Sequence, residues 1–533
     1  MYKVLVADKL PDEGLAILKA EPEIQADVKT GLPPEELKKV IGEYDGVIIR
    51  SATRLTADIL AAAGNLKAIA RAGVGVDNVD VPSATQLGVV VMNTPDGNTV
   101  STAELTIALI LGLCRKIHRA SASLLRGEWD RKSFQGSQLA GKTLGVIGLG
   151  RIGSAVARRM LGFDMKVVGY DPFFAGDKEL EQRIAVVRNL DDLLAQSDII
   201  TVHVPKTAET SGMIGPEQIA RMKKGVMLVN AARGGIVNEQ ALYDALQSGH
   251  VAGAALDVFS KEPPEDRRLV EHPNVLSVPH LGAQTEEAQL MVATQAAQLM
   301  VDFLLGRGLA NAVNMPAIDY AKAGELRVYL ELGQRMGLIL AALNQGRIKK
   351  LTVNYSGAVA ELPYRQATIA LVMGLLHGRV SDRLTMVNAL LLAKDKGLEV
   401  VETIKEAGAS YVTAVEAVIE SDRETHSLVG TLLGERNPRI VGVDGIEVEV
   451  PPAGNIIITF HEDKPGVIGR TGTLLAAHDV NIAYMTCGRK GGRGEEAALF
   501  ITLDSAPPAR ALDDLRHQEA MHRVLHVALP PLR

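Results

Sequence analysis

Short apolar runs alternate with longer amphipathic segments from the start of the chain to a long segment that ends at Leu305. The short runs, such as Gly46–Ile49, have the length and aliphatic character of buried strands. The longer segments, such as Glu13–Lys19, space their apolar residues at helical intervals. Because strands that alternate with helices are typical of parallel sheets covered by helices, the pattern predicts a parallel α/β architecture.

Two long helical segments predict how this part of the chain is divided. We expect one amphipathic helix from Thr99 to Leu125 to leave a first α/β unit, and a second helix, Ala283–Leu305, to return to it. This places residues 1–97 and 295–313 in one lobe and residues 98–294 in another. Two Rossmann-like, doubly wound lobes joined in this way enclose a cleft suited to small ligands.

The pattern changes after Asn314-Met-Pro316. Residues 317–452 mix helical segments with strands, and Asp444-Gly445 is a strong signal for a two-residue hairpin. Residues 453–533 follow the order strand, helix, strand, strand, helix, strand, which is the ferredoxin-like pattern. The sequence therefore predicts an α+β intervening domain followed by a ferredoxin-like domain.

Composition argues against several classes of partner. The 533 residues carry 57 Lys and Arg against 63 Asp and Glu, and the net charge of −6 argues against nucleic acid or an anionic membrane as the main partner. The apolar helical segment Leu105–Cys114 is too short to span a bilayer. Cys114 and Cys487 lie far apart without metal-ligand spacing, and Met1–Asp8 has a strand pattern rather than that of a signal peptide. We expect a cytoplasmic protein with a small-molecule substrate and no metal.

One glycine-rich turn carries the clearest chemical signal. Gly148, Gly150 and Gly153 follow a short apolar run and open a helical segment, at the spacing G-x-G-x-x-G. Such glycines allow a tight strand-to-helix turn and the close approach of a pyrophosphate to the helix N-terminus. Asp171 ends the next apolar run, where an acid accepts both ribose hydroxyls of adenosine and repels a 2′-phosphate. The turn therefore predicts NAD as the cofactor.

Three charged side chains follow three later strand-like runs. Arg233, Glu262 and His280 come after Gly225–Asn230, Ala252–Asp257 and Val275–Val278. Each alone has a simpler explanation: a surface ion pair, a turn before proline, and a structural histidine. Together they favour one ligand crevice, because the carboxyl ends of parallel strands lie at the same edge of a sheet.

The three side chains match the needs of hydride transfer between a 2-hydroxy acid and a nicotinamide. A base must take the hydroxyl proton as the hydride leaves, and histidine is suited to this near neutral pH. Glu262, bonded to the far ring nitrogen of His280, would orient the ring and stabilise its charged form. Arg233 would hold the carboxylate and carbonyl, and Asp257 would reach the carboxamide of the cofactor.

These motifs, with Asn230–Gly235, Asp257–Pro263 and Pro279–Ala283, resemble those of the D-isomer-specific 2-hydroxyacid dehydrogenases. The resemblance implies Arg233, Glu262 and His280 as the catalytic residues, with His280 as the proton donor. Beyond the glycine turn and Asp171, it implies that loops at the strand ends contact the cofactor: Arg151, Ile152, His203, Val204, Pro205, Ala231, Ala232, Arg233, Asp257, His280, Leu281, Gly282 and Ala283.

Arginines near a second glycine-rich loop suggest the substrate. Arg50 and Arg71 end strand-like runs of the first lobe, and a phosphate binds both cations and backbone N–H groups. They could equally form ion pairs between the lobes. The length and last domains resemble the family members that oxidise 3-phospho-D-glycerate at the entry to serine biosynthesis. That resemblance implies a phosphate site at Arg50 and Arg71, with Gly73 and Val74 nearby and Arg131 reaching in from a partner subunit.

The C-terminal segment resembles the ACT regulatory domain. The resemblance implies an L-serine site in which His461, Asp463 and Asn481 meet across a subunit interface, and hence a homodimer or homotetramer. His461 stands where close relatives have a tyrosine, and an ACT fold without a ligand is the alternative.

Two other functions stay open at this point. The same chemistry could act on an unphosphorylated acid such as glyoxylate, hydroxypyruvate or 2-hydroxyglutarate. The fold also serves in NAD-sensing corepressors, although the complete Arg–Glu–His set and the lack of a basic tail weaken that interpretation.

Overall fold

The first lobe contains a five-stranded, fully parallel sheet. The computed structural model describes residues 1–174, 176–315, 323–380, 383–406, 411–434, 436–492 and 494–531. The strand order is β2-β1-β3-β4-β5, and the strands are β1 (Tyr2–Val6), β2 (Ile24–Val28), β3 (Gly46–Ile49), β4 (Ala68–Arg71) and β5 (Val90–Asn93). β2 is an edge strand that the sequence pattern did not predict.

Helices cover both faces of this sheet. They are α1 (Asp12–Lys19), α2 (Pro34–Val40), α3 (Ala57–Ala61) and α4 (Val81–Gln86). A later helix, Glu286–Leu304, also packs here: its residues Val292, Ala296 and Met300 belong to the same buried cluster as Val4 and Val6.

The second lobe contains a seven-stranded parallel sheet of Rossmann type. Its order is β12-β11-β10-β9-β6-β7-β8, with β6 (Thr143–Ile147), β7 (Lys166–Tyr170), β8 (Ala185–Val187), β9 (Ile199–Val202), β10 (Val226–Asn230), β11 (Val251–Leu256) and β12 (Val275–Ser277). The chain passes from β8 on one edge back to β9 beside β6, and a ligand crevice forms at such a switch point.

The helix leading into the second lobe is not continuous, contrary to the sequence prediction. It is split into α5 (Thr99–Cys114) and α6 (Ile117–Leu125) because Lys116 adopts φ +53. The other helices up to the return are α7 (Arg151–Leu161), α8 (Lys178–Glu181), α9 (Leu190–Gln196), α10 (Pro216–Arg221), α11 (Glu239–Gln247) and α12 (Glu286–Leu304).

The intervening domain is an α+β unit, as predicted. Its mixed sheet has the order β14-β13-β15-β16-β17-β18, and only β13 and β14 are parallel. The strands are β13 (Ile348–Gly357), β14 (Glu399–Lys405), β15 (Thr413–Ser421), β16 (Thr425–Leu433), β17 (Asn437–Val443) and β18 (Ile446–Val450), and the helices are α13 (Ala323–Leu343), α14 (Arg365–Leu376) and α15 (Ala389–Asp395). The predicted hairpin at Asp444-Gly445 joins β17 and β18. The predicted start of this domain at residue 317 lies outside the described residues.

The C-terminal domain has the ferredoxin-like order of elements. The antiparallel sheet β20-β21-β19-β22 is built from β19 (Gly454–Glu462), β20 (Ile482–Arg489), β21 (Glu496–Leu503) and β22 (Met521–Leu529), with α16 (Val467–Ala477) and α17 (Ala509–Arg516). Within the part of the chain that the structure describes, no helix is long and apolar enough to cross a bilayer.

Candidate active site

Three adjacent parallel strands place the predicted catalytic residues at the carboxyl ends of the strands of the second sheet. β10, β11 and β12 are neighbours, and the loops that follow them carry Arg233, Glu262 and His280. Because the strands are short and parallel, all three loops leave the sheet on the same side. The structure therefore brings together the three side chains that the sequence singled out.

His280 and Glu262 form a hydrogen-bonded pair. Nδ1 of His280 lies 2.7 Å from Oε2 of Glu262, with the His280 side chain 49% exposed and the Glu262 side chain 38% exposed. The hydrogen bond to Glu262 raises the pKa of His280, although burial and Arg233 act against it. The second ring nitrogen, Nε2, has no hydrogen-bond partner among the described residues, so it is available to a ligand.

Backbone contacts fix the geometry of this pair. Burial alone would raise the pKa of Glu262, but the bond with His280 and an amide N–H donated by Phe259 outweigh it, so the pKa is lowered. His280 itself adopts φ +54, which is unusual for a residue with a side chain.

Asp257 holds the turn that carries His280. Its carbonyl accepts the amide N–H of His280 at 2.9 Å, and its carboxylate accepts those of Leu281 and Gly282 at 2.5 and 3.0 Å. Asp257 is fully buried, and burial raises the pKa of its carboxyl more than the two amides lower it. These bonds compensate for the strained backbone and keep the imidazole at the cleft.

Arg233 is anchored from both lobes. The buried side chain of Asn230 accepts the amide N–H of Ala232 and donates to the carbonyl of Arg233, which fixes the turn after β10. Asp77 of the first lobe accepts a hydrogen bond from Nε of Arg233 at 3.0 Å. Nη2 of Arg233 also lies over Gly75, where a Cβ atom would be only 2.0 Å away. Arg233 thus faces the glycine-rich loop of the first lobe.

The glycine turn before α7 fits a dinucleotide. Gly148 adopts φ +91, and a Cβ on Gly153 would lie 1.9 Å from the carbonyl oxygen of Gly148, so both positions need glycine. A Cβ on Gly150 would point into open space, which leaves room for a phosphate at the helix N-terminus. The carboxylate of Asp171 accepts amide N–H groups from Leu149 and Phe173, at 2.9 Å each. It lies beside the turn, within reach of a ribose.

Most of the other predicted cofactor residues line a single cleft. The cleft has a volume of about 500 Å³, and its walls include Arg151, Ile152, His203, Val204, Pro205, Ala231, Ala232, Arg233, Asp257, His280, Gly282 and Ala283. Burial lowers the pKa of His203 to about 4, so this imidazole is neutral. Leu281 contributes its amide to Asp257 rather than a wall of the cleft.

The predicted phosphate-binding residues divide into two groups. Arg71 lines the cleft, where its guanidinium covers Gly73, and burial together with Arg233 lowers its pKa to about 10. Val74 also lines the cleft. Arg50 is held instead by the carbonyl of Lys9 at 3.0 Å and by Gln289 of α12.

Arg131 is not brought to the cleft by this chain. It lies in an exposed loop, and the described residues offer it no hydrogen bond or ion pair. The structure of one chain therefore leaves its predicted role across a subunit interface untested.

The predicted serine site is not assembled within one chain. His461 and Asp463 lie at the end of β19, opposite Ala497, whereas Asn481 precedes β20 at the level of Leu503. His461 is only 2% exposed and contacts Thr459 at 3.3 Å, while Asn481 donates to Asp504 at 2.6 Å. The two groups of residues lie at opposite ends of the sheet.

Sequence reasoning missed the roles of Asn230 and Asp77. Both lie inside motifs that were recognised, but only the fold shows that one fixes the turn before Arg233 and the other contacts Arg233 from the opposite lobe. Among the described residues, no cluster of His, Cys, Asp and Glu is arranged to hold a metal ion.

Three family models match successive parts of the chain. Residues 107–282 match the NAD binding domain of D-isomer specific 2-hydroxyacid dehydrogenases, residues 325–444 match the D-3-phosphoglycerate dehydrogenase intervening domain, and residues 455–518 match the ACT domain. The matches follow the same order as the sheets of the structure.

Relatives extend over the full length. The chain is 42% identical to D-3-phosphoglycerate dehydrogenase from Archaeoglobus fulgidus over 99% of this chain and 100% of the relative. It is 39% identical to the Bacillus subtilis enzyme of the same name, again over 99% and 100%.

Solved structures match more than half of the chain. D-lactate dehydrogenase from Aquifex aeolicus, in complex with NAD and lactic acid, aligns with a TM-score of 0.52 and 31% identity, covering 59% of this chain and 100% of that one. The TT0316 protein from Thermus thermophilus aligns with a TM-score of 0.54 and 36% identity, covering 58% and 99%.

Proposed function

Because the chain belongs to the D-3-phosphoglycerate dehydrogenases of the D-isomer specific 2-hydroxyacid dehydrogenase family, we propose that it oxidises 3-phospho-D-glycerate to 3-phosphohydroxypyruvate with NAD. This reaction is the first step from glycolysis towards L-serine. The observation that carries the proposal is the His280–Glu262 pair, at 2.7 Å, whose imidazole lines the same cleft as Arg233 and the first residue of α7, Arg151.

His280 is the proposed proton acceptor in oxidation and proton donor in reduction. Glu262 holds Nδ1, so Nε2 takes the proton of the substrate hydroxyl. The imidazolium formed in this way is stabilised by the carboxylate of Glu262, which is the reason that the pKa of His280 is raised. A nicotinamide held in this cleft would supply the acceptor for the hydride that leaves C2 of the substrate.

The cofactor is proposed to lie along the carboxyl ends of the second sheet. The amides at the start of α7 and the guanidinium of Arg151 would bind the pyrophosphate, and Asp171 would accept the ribose hydroxyls. Each oxygen of Asp257 keeps a lone pair beyond its backbone bond, so this side chain can accept the carboxamide N–H.

Arg233 and Arg71 are proposed to bind the two anionic ends of the substrate. Arg233 would hold the carboxylate at C1 and the oxygen at C2 with its planar fork. Burial and the nearby charge of Arg233 lower the pKa of Arg71, and Asp77 and Asp8 oppose this only in part. Among the described residues, no carboxylate forms an ion pair with Arg71 to neutralise that repulsion between the two guanidinium groups. A phosphate beside Arg71, assisted by Arg50, would relieve that repulsion, which favours the phosphorylated substrate over an unphosphorylated acid.

The substrate assignment is tested with a panel of D-2-hydroxy acids. Initial rates of NADH formation are measured with 3-phospho-D-glycerate, D-glycerate and D-2-hydroxyglutarate at equal concentrations. We expect kcat/KM to be highest for 3-phospho-D-glycerate. A higher value for either unphosphorylated acid would reassign the substrate, and binding of NADH without turnover of any acid would favour a sensing role.

The C-terminal domain is proposed to bind L-serine in an oligomer. ACT domains bind small-molecule effectors, and the separation of His461 from Asn481 within one chain is compatible with a site formed by two copies. We infer a homodimer or homotetramer in which a second chain supplies the missing end of each site and Arg131 reaches a neighbouring cleft. Sedimentation analysis tests the assembly.

The proposal also includes the domain boundaries of the chain and the cellular compartment of the protein. Residues 1–97 with 295–313 form the substrate lobe, 98–294 the NAD lobe, 317–452 the intervening domain and 453–533 the effector domain. The two free cysteines, one of them buried, suit the reducing cytoplasm, where this metabolic reaction draws on glycolysis.

A further inference from the structure

One exposed ion pair at the cleft includes an acid, Asp96, that has no place in the proposed mechanism. Oδ1 of Asp96 lies 2.5 Å from Nε of Arg151, and both side chains are 58% exposed. Arg151 is the first residue of α7, directly after the glycine turn, and it lines the cleft. Asp96 lies in the loop between β5 and α5, where the chain first crosses from one lobe to the other.

We propose that Asp96 sets the affinity for the cofactor, because its carboxylate holds the Arg151 guanidinium and competes there with the cofactor pyrophosphate. This inference rests on the proposed position of the pyrophosphate at the start of α7. Asp96 is a positioning residue, since it contacts Arg151 rather than the cofactor.

The neighbouring carboxylates are already engaged elsewhere. Both oxygens of Asp171 accept backbone N–H groups, and Asp177 is paired with Arg158. Among the described acids near the glycine turn, Asp96 is therefore the one whose charge is directed at Arg151.

The loop that carries Asp96 is held on both sides of this residue. The amide of Thr94 donates to the carbonyl of Gly73 at 3.0 Å, and a Cβ on Gly97 would lie 2.5 Å from a methyl group of Val292. The carboxylate therefore stays near the phosphates after it has released Arg151. The negative charge of Asp96 repels the phosphates. Asp96 therefore opposes cofactor binding both while it holds Arg151 and after it has released Arg151.

An opposite role is physically possible and predicts the opposite result. Asp96 bonds only Nε of Arg151, so it could orient the guanidinium and leave its far edge for the pyrophosphate. The repulsion between anions outweighs this benefit, because the pair is exposed and an exposed pair restrains a side chain only weakly.

The test is the affinity of the full-length protein for NADH, measured by fluorescence titration. We expect Asp96→Asn to bind NADH about two- to fivefold more tightly than the original protein at low ionic strength, with the difference shrinking as salt screens the charges. In an Arg151→Gln background the same substitution should change the affinity by a smaller factor. Asp58→Asn is the matched control, since Asp58 is an exposed acid of the first lobe paired with Lys38 at 2.7 Å.

Unchanged or weaker binding of NADH to Asp96→Asn would overturn the inference. Weaker binding would assign Asp96 the orienting role, and an equal gain in Asp58→Asn would reduce the effect to net charge. If the original protein failed to bind NADH at all, the proposed function would fail first, and the two failures are therefore distinguishable.

Discussion

Two histidines in this chain show how the surroundings decide what an imidazole can do. His280 follows the edge strand of the second lobe, has a side chain 49% exposed, and lies 2.7 Å from Glu262, so its pKa is raised. His461, the last residue but one of β19, is 2% exposed and has its pKa lowered by burial. The first is suited to exchanging a proton, whereas the second is suited to a neutral hydrogen bond.

The regions around these histidines differ in the same way. Arg233 and His280 line the cleft, and Glu262 joins them by its bond to His280, all from successive strand ends of one chain. In the C-terminal domain, the level of His461 and the level of Asn481 are separated by the run from Ala497 to Leu503, which is about 20 Å of extended strand. The proposed catalytic site is thus assembled within one chain, whereas the proposed serine site needs residues from two chains.

Of the substitutions that test this comparison, removal of the His280 side chain should cause the largest loss of activity. We expect His280→Ala to lower kcat by about 10²- to 10⁴-fold, because the hydroxyl proton loses its acceptor. NADH binding should be retained, which fluorescence titration measures beside the steady-state rate. His478→Gln is the control, since His478 also pairs with a carboxylate, Asp514 at 2.8 Å, but in the C-terminal domain. Equal turnover in His280→Ala and the original protein would exclude the proposed role.

Arg71 separates recognition of the phosphate from the chemistry at His280. Arg71→Gln should raise KM for 3-phospho-D-glycerate by about 10- to 100-fold, because a charge-assisted contact is lost. The KM for D-glycerate, which has no phosphate, should change much less. The comparison uses initial rates with both substrates, and Arg188→Gln, at an exposed position, controls for loss of charge. An equal loss with both substrates would show that Arg71 does not contact the phosphate.

Hybrid dimers test whether the C-terminal site needs two chains. Chains with His461→Ala and with Asn481→Ala are co-expressed with different tags, so that one of the two composite sites carries both substitutions and the other carries neither. Calorimetry should detect one serine per hybrid dimer and much weaker binding to either homodimer. A hybrid that binds no better than the homodimers would contradict a shared site.

Asp77 should produce the smallest effect in the cleft. It contacts Arg233 at 3.0 Å, but its side chain is 60% exposed, and exposed ion pairs contribute about 0.2–1 kcal/mol. Asp77→Asn should therefore lower kcat/KM for 3-phospho-D-glycerate by about two- to fivefold. A rise in kcat/KM would show instead that Asp77 competes with the substrate carboxylate for Arg233.

The sequence predicted the sheets and the proximity of the three catalytic candidates for one physical reason. Buried parallel strands are continuous apolar runs, and polar residues directly after them must lie at the carboxyl edge of the sheet. The edge strands β2 and β14 were missed because polar residues interrupt their apolar ones, as in Glu399–Lys405, and β8 was missed because it is only three residues long. The break between α5 and α6 depends on one residue, Lys116, whose backbone conformation has no sequence signal.

Contacts between the lobes could not be predicted at all. Arg233 with Asp77 joins residues far apart in sequence whose pairing depends on how the lobes are oriented. Arg50 with Gln289 likewise joins the first lobe to the returning helix α12, 239 residues later. The intervening domain adds a further example, since Arg383 donates to the carbonyl of Leu66 at 2.8 Å. Hydrophobic patterning specifies each unit but carries no information about such polar contacts.

The pH dependence of oxidation tests the His280–Glu262 pair most directly. Oxidation needs the neutral imidazole, so kcat/KM should rise as the pH passes through the raised pKa of His280. In Glu262→Gln the charge that raises this pKa is gone, so the rise should move to lower pH. The reverse reaction, reduction, needs the imidazolium, so its rate near neutral pH should be lower in Glu262→Gln than in the original protein. A rise at the same pH in both proteins would contradict the claim that this pair exchanges the substrate proton.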